Sequence, residues 1–264
     1  MLKCGLKDIL TDRTSGASAL YRKTIELFKT DPVYKNHNRL LKDLDRISNS
    51  FSEMAPFIYL KQRLKSPPAG SRSDTLTDLL NELQSEERNI SEYLSLIWKK
   101  KCRVITFSQS SCVLNMLLQR RNLIKSVLIS IAAPSNEGVL AARKILRAGI
   151  KVALTTDAAL PGMIKSNDLV LVGADCVTEK YFVNKTGTLP LLVMAARMKA
   201  KRVVVAESFK TITASDYQFS PRAKSAGEII SRRPRDLTVI NEYFEKIPLE
   251  LITCLISGMG IIRN

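Results

Sequence analysis

Apolar residues follow two different rhythms along this chain. From about Ala17 to Leu64, and again from Leu76 to Lys100, they recur at helical spacing: Leu20, Ile25, Leu27 and Phe28, then Leu40, Leu41, Leu44 and Ile47, then Leu79, Leu83, Ile90, Tyr93, Leu94 and Ile97. Side chains three and four positions apart share one face of a helix, so this stretch reads as a set of amphipathic helices. Ser66-Pro67-Pro68-Ala69-Gly70-Ser71 interrupts it as a loop or hinge, and Asp74 or Thr75 is placed to cap the helix that follows.

After Lys101 the period changes. Short β-branched runs, RVITF, SVLISIAA, KVALTT, LVLVGA and RVVVAE, are separated by helical stretches from Cys112, Asn136, Ala158 and Gly187. Such alternation builds βαβ units, so the predicted fold class is α/β, with an N-terminal helical domain over 1–100. Residues 101–264 form a mainly parallel sheet covered on both faces. Thr211 to Asp236 is polar, basic and without a clear period; it is read as an ordered but irregular excursion, with Arg232, Arg233 and Arg235 on a solvated face.

At 264 residues the chain can bury one large core or two modest ones. Its 41 Lys and Arg against 25 Asp and Glu give a net charge of +16, spread unevenly: 17 basic against 13 acidic residues through Lys100, and 24 against 12 beyond it. A basic α/β half suggests an acidic partner or a phosphorylated ligand. Nucleic acid is not the expected partner, because no aromatic residues interleave with the charges and the single Trp, Trp98, ends a helix. The five cysteines, Cys4, Cys102, Cys112, Cys176 and Cys254, lie far apart without CxxC spacing and read as free thiols in a reducing cytosol. No apolar run approaches the roughly 20 residues of a membrane span. Lys3 and Lys7 break up the start of the chain, so a cytoplasmic protein without membrane contact is expected.

Several chemistries lack their parts. There is no GxGxxG after the first strand and no GxxxxGK[ST], so dinucleotide and P-loop phosphate cradles are missing. His37, the only histidine, stands between Asn36 and Asn38 as a surface residue, which sets aside a Ser-His-Asp triad and a histidine metal site. No cofactor and no metal are expected.

What remains is one convergence. The run LVLVG from Leu169 leads straight into Asp175, Asn184-Lys185-Thr186-Gly187-Thr188 opens a helix, and a second strand ends in Glu207-Ser208-Phe209-Lys210. Ligands of open parallel sheets sit at the carboxyl ends of strands, where Asp175 falls. Gly187 permits close backbone approach, and the helix start there offers N–H groups to an anion. The pattern describes a pocket for a small anionic ligand.

Taken in order, Ser15-Gly16-Ala17-Ser18, Thr106-Phe107-Ser108-Gln109-Ser110-Ser111, Glu137-Gly138, Asp157-Ala158-Ala159, Gly173-Ala174-Asp175, the Asn184 and Glu207 segments, and Asn241-Glu242-Tyr243-Phe244-Glu245-Lys246-Ile247-Pro248 resemble the translation initiation factor 2B alpha/beta/delta family. Its superfamily includes methylthioribose-1-phosphate isomerase and ribose-1,5-bisphosphate isomerase. The resemblance covers nearly the whole chain and is nearest to archaeal-type proteins related to the alpha subunit. It implies a Rossmann-like, doubly wound domain after the helical one, a pocket between them, and a homodimer or higher oligomer. It also implies contact with initiation factor 2 subunits, and ligand-binding places for Gly16, Ala17, Ser110, Asn184, Lys185 and Lys210.

The departures from the family pattern bear on chemistry. The isomerases pair the aspartate matched by Asp175 with a cysteine at the end of the first strand, one acting as acid and the other as base. Here that position is Ser108. A hydroxyl is a far weaker acid than a thiol of pKa about 8.5, and Cys112, one helical turn on, is out of register. Three arginines that would grip phosphate are matched by Ser15, the Ser52-Glu53-Met54 region and Ala132-Ala133-Pro134, leaving Lys185 and Lys210 as point charges. The expectation is a regulatory-subunit-like scaffold for guanine-nucleotide exchange on initiation factor 2, with a sugar-phosphate or nucleotide pocket around Asp175 and Ser108 that performs no turnover. The alternative is an aldose–ketose sugar-phosphate isomerase with an altered site.

Overall fold

The computed structural model describes residues 5–12, 14–65 and 72–263. The Ser66–Ser71 loop and Cys4 lie outside the described residues.

The helical rhythm is realised by α1 (Leu6–Thr11), α2 (Ala17–Thr30), α3 (His37–Ser50), α4 (Pro56–Lys65) and α5 (Arg72–Ile97). Leu20, Ile25 and Phe28 of α2 and Leu40, Leu44 and Ile47 of α3 meet in one core, and Asn36 caps α3 by accepting the Arg39 N–H at 3.1 Å. Helix α5 begins at Arg72, so Asp74 stands inside its first turn instead of capping it. That first turn, Arg72 to Thr75, carries no apolar residue, which is why its start left no periodic signal. Along α5 the buried face changes partners: Leu76, Leu79 and Leu83 join the helical core, whereas Ile90 and Leu94, with Trp98 just beyond, join the core beneath the sheet.

The second region runs β1 (Cys102–Thr106), α6 (Ser111–Gln119), β2 (Ile124–Ser130), α7 (Glu137–Arg147), β3 (Val152–Thr155), β4 (Leu169–Gly173), β5 (Cys176–Val177), β6 (Tyr181–Lys185), α8 (Thr188–Arg197), β7 (Lys201–Val205), β8 (Phe244–Pro248), β9 (Cys254–Ser257) and β10 (Gly260–Arg263). The seven-stranded sheet has the order β3-β2-β1-β4-β7-β9-β10. It is parallel except that β10 runs antiparallel to β9. One core lies against α5, α6 and α7 and the other against α8, so both faces are covered, as continuous runs such as LVLVG require.

The helix expected from Ala158 does not form. Pro161-Gly162 limits that crossover to a single short turn, Pro161–Met163, and Leu160 and Ile164 fill the core in its place. Three features were not legible in the pattern: the small antiparallel sheet β5-β6-β8, the pairing of β9 with β7, and the final hairpin. The Thr211–Asp236 segment is irregular apart from the Ala226–Glu228 turn and two isolated β-bridges, Thr211 with Val177 and Ala223 with Glu242. It is nonetheless pinned, with Tyr217 Oη donating to Glu53 O at 3.0 Å and Lys224 N to Asn241 O at 2.7 Å.

Two contacts fasten the helices to the sheet. Phe209, just past β7, stacks on Tyr21 with ring centroids 4.5 Å apart. Glu86 of α5 accepts two backbone N–H groups through Oε2, from Ser208 at 2.8 Å and Gly258 at 3.0 Å, and a Cβ at Gly258 would lie 2.3 Å from that oxygen. Hydrogen bonds to a charged group stabilise more than neutral ones, so Glu86→Ala is expected to cost about 2–3 kcal/mol in urea denaturation. An unchanged midpoint would refute this role.

Candidate ligand pocket

The strand order reverses at the centre of the sheet. From β1 the chain winds outward through β2 and β3, and from β4 it winds the other way through β7 and β9, so the loops after β1 and β4 part and leave a crevice. Ser108 lies past the end of β1 and Asp175 past the end of β4. Every site residue chosen from the sequence lines this one cavity: Gly16, Ala17, Ser108, Ser110, Asp175, Asn184, Lys185 and Lys210. Helix α2 approaches so closely that a Cβ on Gly16 would sit 3.1 Å from Gln109 O.

Several of these residues are already engaged. Ser110 caps α6, accepting the Val113 N–H at 3.4 Å, and presses on Gly173, where a Cβ would fall 2.5 Å from its Oγ. Asn184 donates Nδ2 to Thr188 Oγ1 at 3.0 Å. The helix start expected to receive an anion is occupied by the chain itself: Gly187 N and Leu189 N both donate to Glu245 Oε1 at 2.8 Å. Gly187 is required at φ +110° because a Cβ there would lie 2.6 Å from the Phe107 ring.

The lysines are not unpaired point charges either. Lys185 Nζ lies 2.9 Å from Glu137 Oε1 and 3.1 Å from Ser135 Oγ, with the Tyr243 ring centroid 3.8 Å away. Lys210 Nζ lies 2.8 Å from Glu207 Oε2, and Lys224 Nζ lies 3.2 Å from Glu53 Oε1. A buried ammonium is tolerated only with such a partner; the Lys185–Glu137 and Lys224–Glu53 pairs join separate parts of the wall, whereas Lys210 and Glu207 stand in one turn. Asp157 steadies the loop that delivers Ser135 and Glu137, accepting the Ala132 and Ala133 N–H groups at 2.8 and 2.7 Å. Glu137 and Glu207 appeared in the sequence only as motif members, and Glu53, Lys224 and Tyr243 were not singled out as site residues. Their sole signal was proximity, which no local pattern encodes.

Ser108 sits in the left-handed region at φ +62° and donates Oγ–H to Glu137 Oε1 at 3.0 Å. A non-glycine residue held there stores strain of the kind that gathers at functional sites. Cys112 and Cys176 are buried and absent from the lining, so among the described residues the cavity offers no thiol. Nor do the described residues contain a cluster of three or more His, Cys, Asp or Glu placed to hold a metal ion.

Burial raises Asp175 to about 6, against the pull of Lys210, the Ala17 amide and Lys185, with Glu207 adding to the rise. Glu207 feels the same burial but ends below the ordinary carboxylate range, because Lys210 and Ser18 outweigh it. Burial would depress Lys210, and the two carboxylates Glu207 and Asp175 hold it above its usual value. As pH rises from about 4 to about 6, the unfolded chain releases the Asp175 proton while the folded chain keeps it, so this group lowers stability progressively across that window. Asp175→Asn should therefore gain about 2–3 kcal/mol at pH 8 and nothing below pH 4 in urea melts. An equal effect at both pH values would contradict the buried-charge account.

Comparison with known proteins agrees with this architecture. Residues 14–264 match the model of the initiation factor 2 subunit family. A relative from Pyrococcus abyssi, named as translation initiation factor eIF-2B subunit 2-like, is 30% identical over 97% of this chain and 94% of its own length. Ribose 1,5-bisphosphate isomerase of Methanocaldococcus jannaschii is 29% identical over 49% of this chain and 44% of its own. The crystal structure of the Pyrococcus horikoshii translation initiation factor eIF-2B superposes with a TM-score of 0.81 at 23% identity, covering 98% of this chain and 95% of that one. With its fold, motif order and family match in agreement, this chain belongs to the initiation factor 2 subunit family.

Proposed function

We propose that the chain is a regulatory-type subunit of the initiation factor 2B class, a scaffold in guanine-nucleotide exchange on initiation factor 2. Its pocket binds a small sugar-phosphate or nucleotide without turning it over. The observation that carries this reading is the hydroxyl of Ser108, tied to Glu137, in a cavity whose described lining holds no thiol. Aldose–ketose interconversion needs an acid and a base in register, and here Asp175, raised to about 6, faces a serine hydroxyl where the second partner would be a thiol. Sugar hydroxyls would find acceptors and donors on all sides. A phosphate would have to share Lys185 with Glu137 or Lys210 with Glu207, which argues for modest affinity.

The isomerase reading is favoured by that same carboxyl, since a base of pKa about 6 suits proton abstraction. For assembly, the reading is a homodimer. Leu140, Leu146 and Leu154 are exposed on and beside the edge strand β3, leaving apolar surface that a second copy would cover.

Purified protein given ribose 1,5-bisphosphate or methylthioribose 1-phosphate is expected to yield no ketose, while immobilised protein retains initiation factor 2 subunits. Turnover abolished by Asp175→Asn would overturn the binding-only reading, and failure to retain any subunit would remove the scaffold. Light scattering should report twice the chain mass, with Leu154→Lys shifting it toward monomer; a monomeric wild type refutes the dimer.

A further inference from the structure

The cavity occupies the carboxyl edge of the large sheet; the opposite edge carries a different chemistry. Strands β1, β2, β3, β4 and β7 all begin there, and their first residues and the segments leading into them bring Lys100, Lys125, Lys151, Lys165, Lys199 and Lys201 to one side of the molecule, all exposed. Lys100, Lys199 and Lys201 border a single open groove around Cys102. Lys125 and Lys201 both act on that thiol electrostatically, and Lys151 precedes β3 directly beside β2. Over the approaches to the parallel strands, among the described residues, the acids are Asp168 and Glu250. Asp168 is consumed by Arg103 at 2.9 and 2.6 Å.

Helices α5, α6, α7 and α8 end at this same edge, and lysines do complement helix carboxyl ends. Lys201 is used in that way, donating Nζ to Ile97 O at 3.1 Å. Lys100, Lys125, Lys151, Lys165 and Lys199 form no ion pair and donate no side-chain hydrogen bond among the described residues. Like charges held together repel, and no carboxylate among the described residues pairs with these five.

We infer that this basic edge binds the phosphodiester backbone of a nucleic-acid duplex. From β3 to β7 the row crosses four strand spacings, roughly 19 Å, which suits a succession of phosphates rather than a single anion. No aromatic side chain figures among the large exposed hydrophobic residues, so there is no platform for stacking single-stranded bases. Contacts to backbone alone bind without reading sequence and weaken steeply with salt. The missing aromatic pattern that spoke against nucleic acid in the sequence therefore excludes only the base-reading modes.

The test is fluorescence anisotropy of the full chain with labelled 20-bp RNA and DNA duplexes of one sequence, in 50 to 200 mM salt. Binding to either duplex is expected, falling on the order of a hundredfold across that range for about four phosphate contacts. The variant Lys100→Glu, Lys125→Glu, Lys151→Glu, Lys199→Glu should lose at least tenfold. Lys125→Gln with Lys151→Gln, which adds no negative charge, should flatten the salt slope by about two. Absence of duplex binding at 50 mM salt, an affinity untouched by both variants, or tighter binding to polyglutamate or phosphatidylserine vesicles would each overturn the proposal.

Discussion

A buried ammonium group cannot remain without a counter-charge, and the architecture of the pocket follows from that constraint. Lys210 and Glu207 are each almost fully buried and 2.8 Å apart. Removing one partner of such a pair typically costs about 3–5 kcal/mol, because the other is left charged in a medium that cannot solvate it. The same condition draws Glu137 to Lys185 and Glu53 to Lys224. These last two pairs span elements remote in sequence: the end of β6 with the start of α7, and the irregular excursion with the turn before α4. The pairs thus hold the wall together as well as charge it.

These pairs also limit what the pocket does. A site dedicated to a bisphosphate would present uncompensated cations, preferably guanidinium groups that grip two oxygens at once. Here every lysine on the wall already faces a carboxylate, the amide end of α8 is given to Glu245, and Asp175 resists ionisation. The charges lining the cavity nearly balance, with Lys185, Lys210 and Lys224 against Asp12, Glu137 and Asp175. The positive charge of the chain lies elsewhere. Charges are paired at the carboxyl edge of the sheet, whereas exposed, unpaired lysines gather on the approaches to the parallel strands at the other.

The resemblance in sequence to both initiation-factor subunits and sugar-phosphate isomerases reflects a shared frame. The reversal of strand order supplies a crevice in all such folds, and what the crevice does depends on a few side chains. In this chain the decisive ones are Ser108, whose hydroxyl proton is committed to Glu137, and Asp175, whose burial raises it to about 6.

Local periodicity was enough to mark the helical first region and the five β-branched strands of the parallel sheet, and the family resemblance picked out eight residues that line one cavity. The sequence misplaced a helix at Ala158, where Pro161-Gly162 prevailed over the polar spacing, and it carried no sign of the small sheet that positions Asn184 and Lys185. Only the tertiary structure decided which charges are free. Lys185 and Lys210 look the same in sequence as Lys100 and Lys199, yet the first two are buried against carboxylates and the last two are exposed and unpaired. Pairing is a matter of distance between residues far apart along the chain, and distance of that kind exists only once the chain has folded.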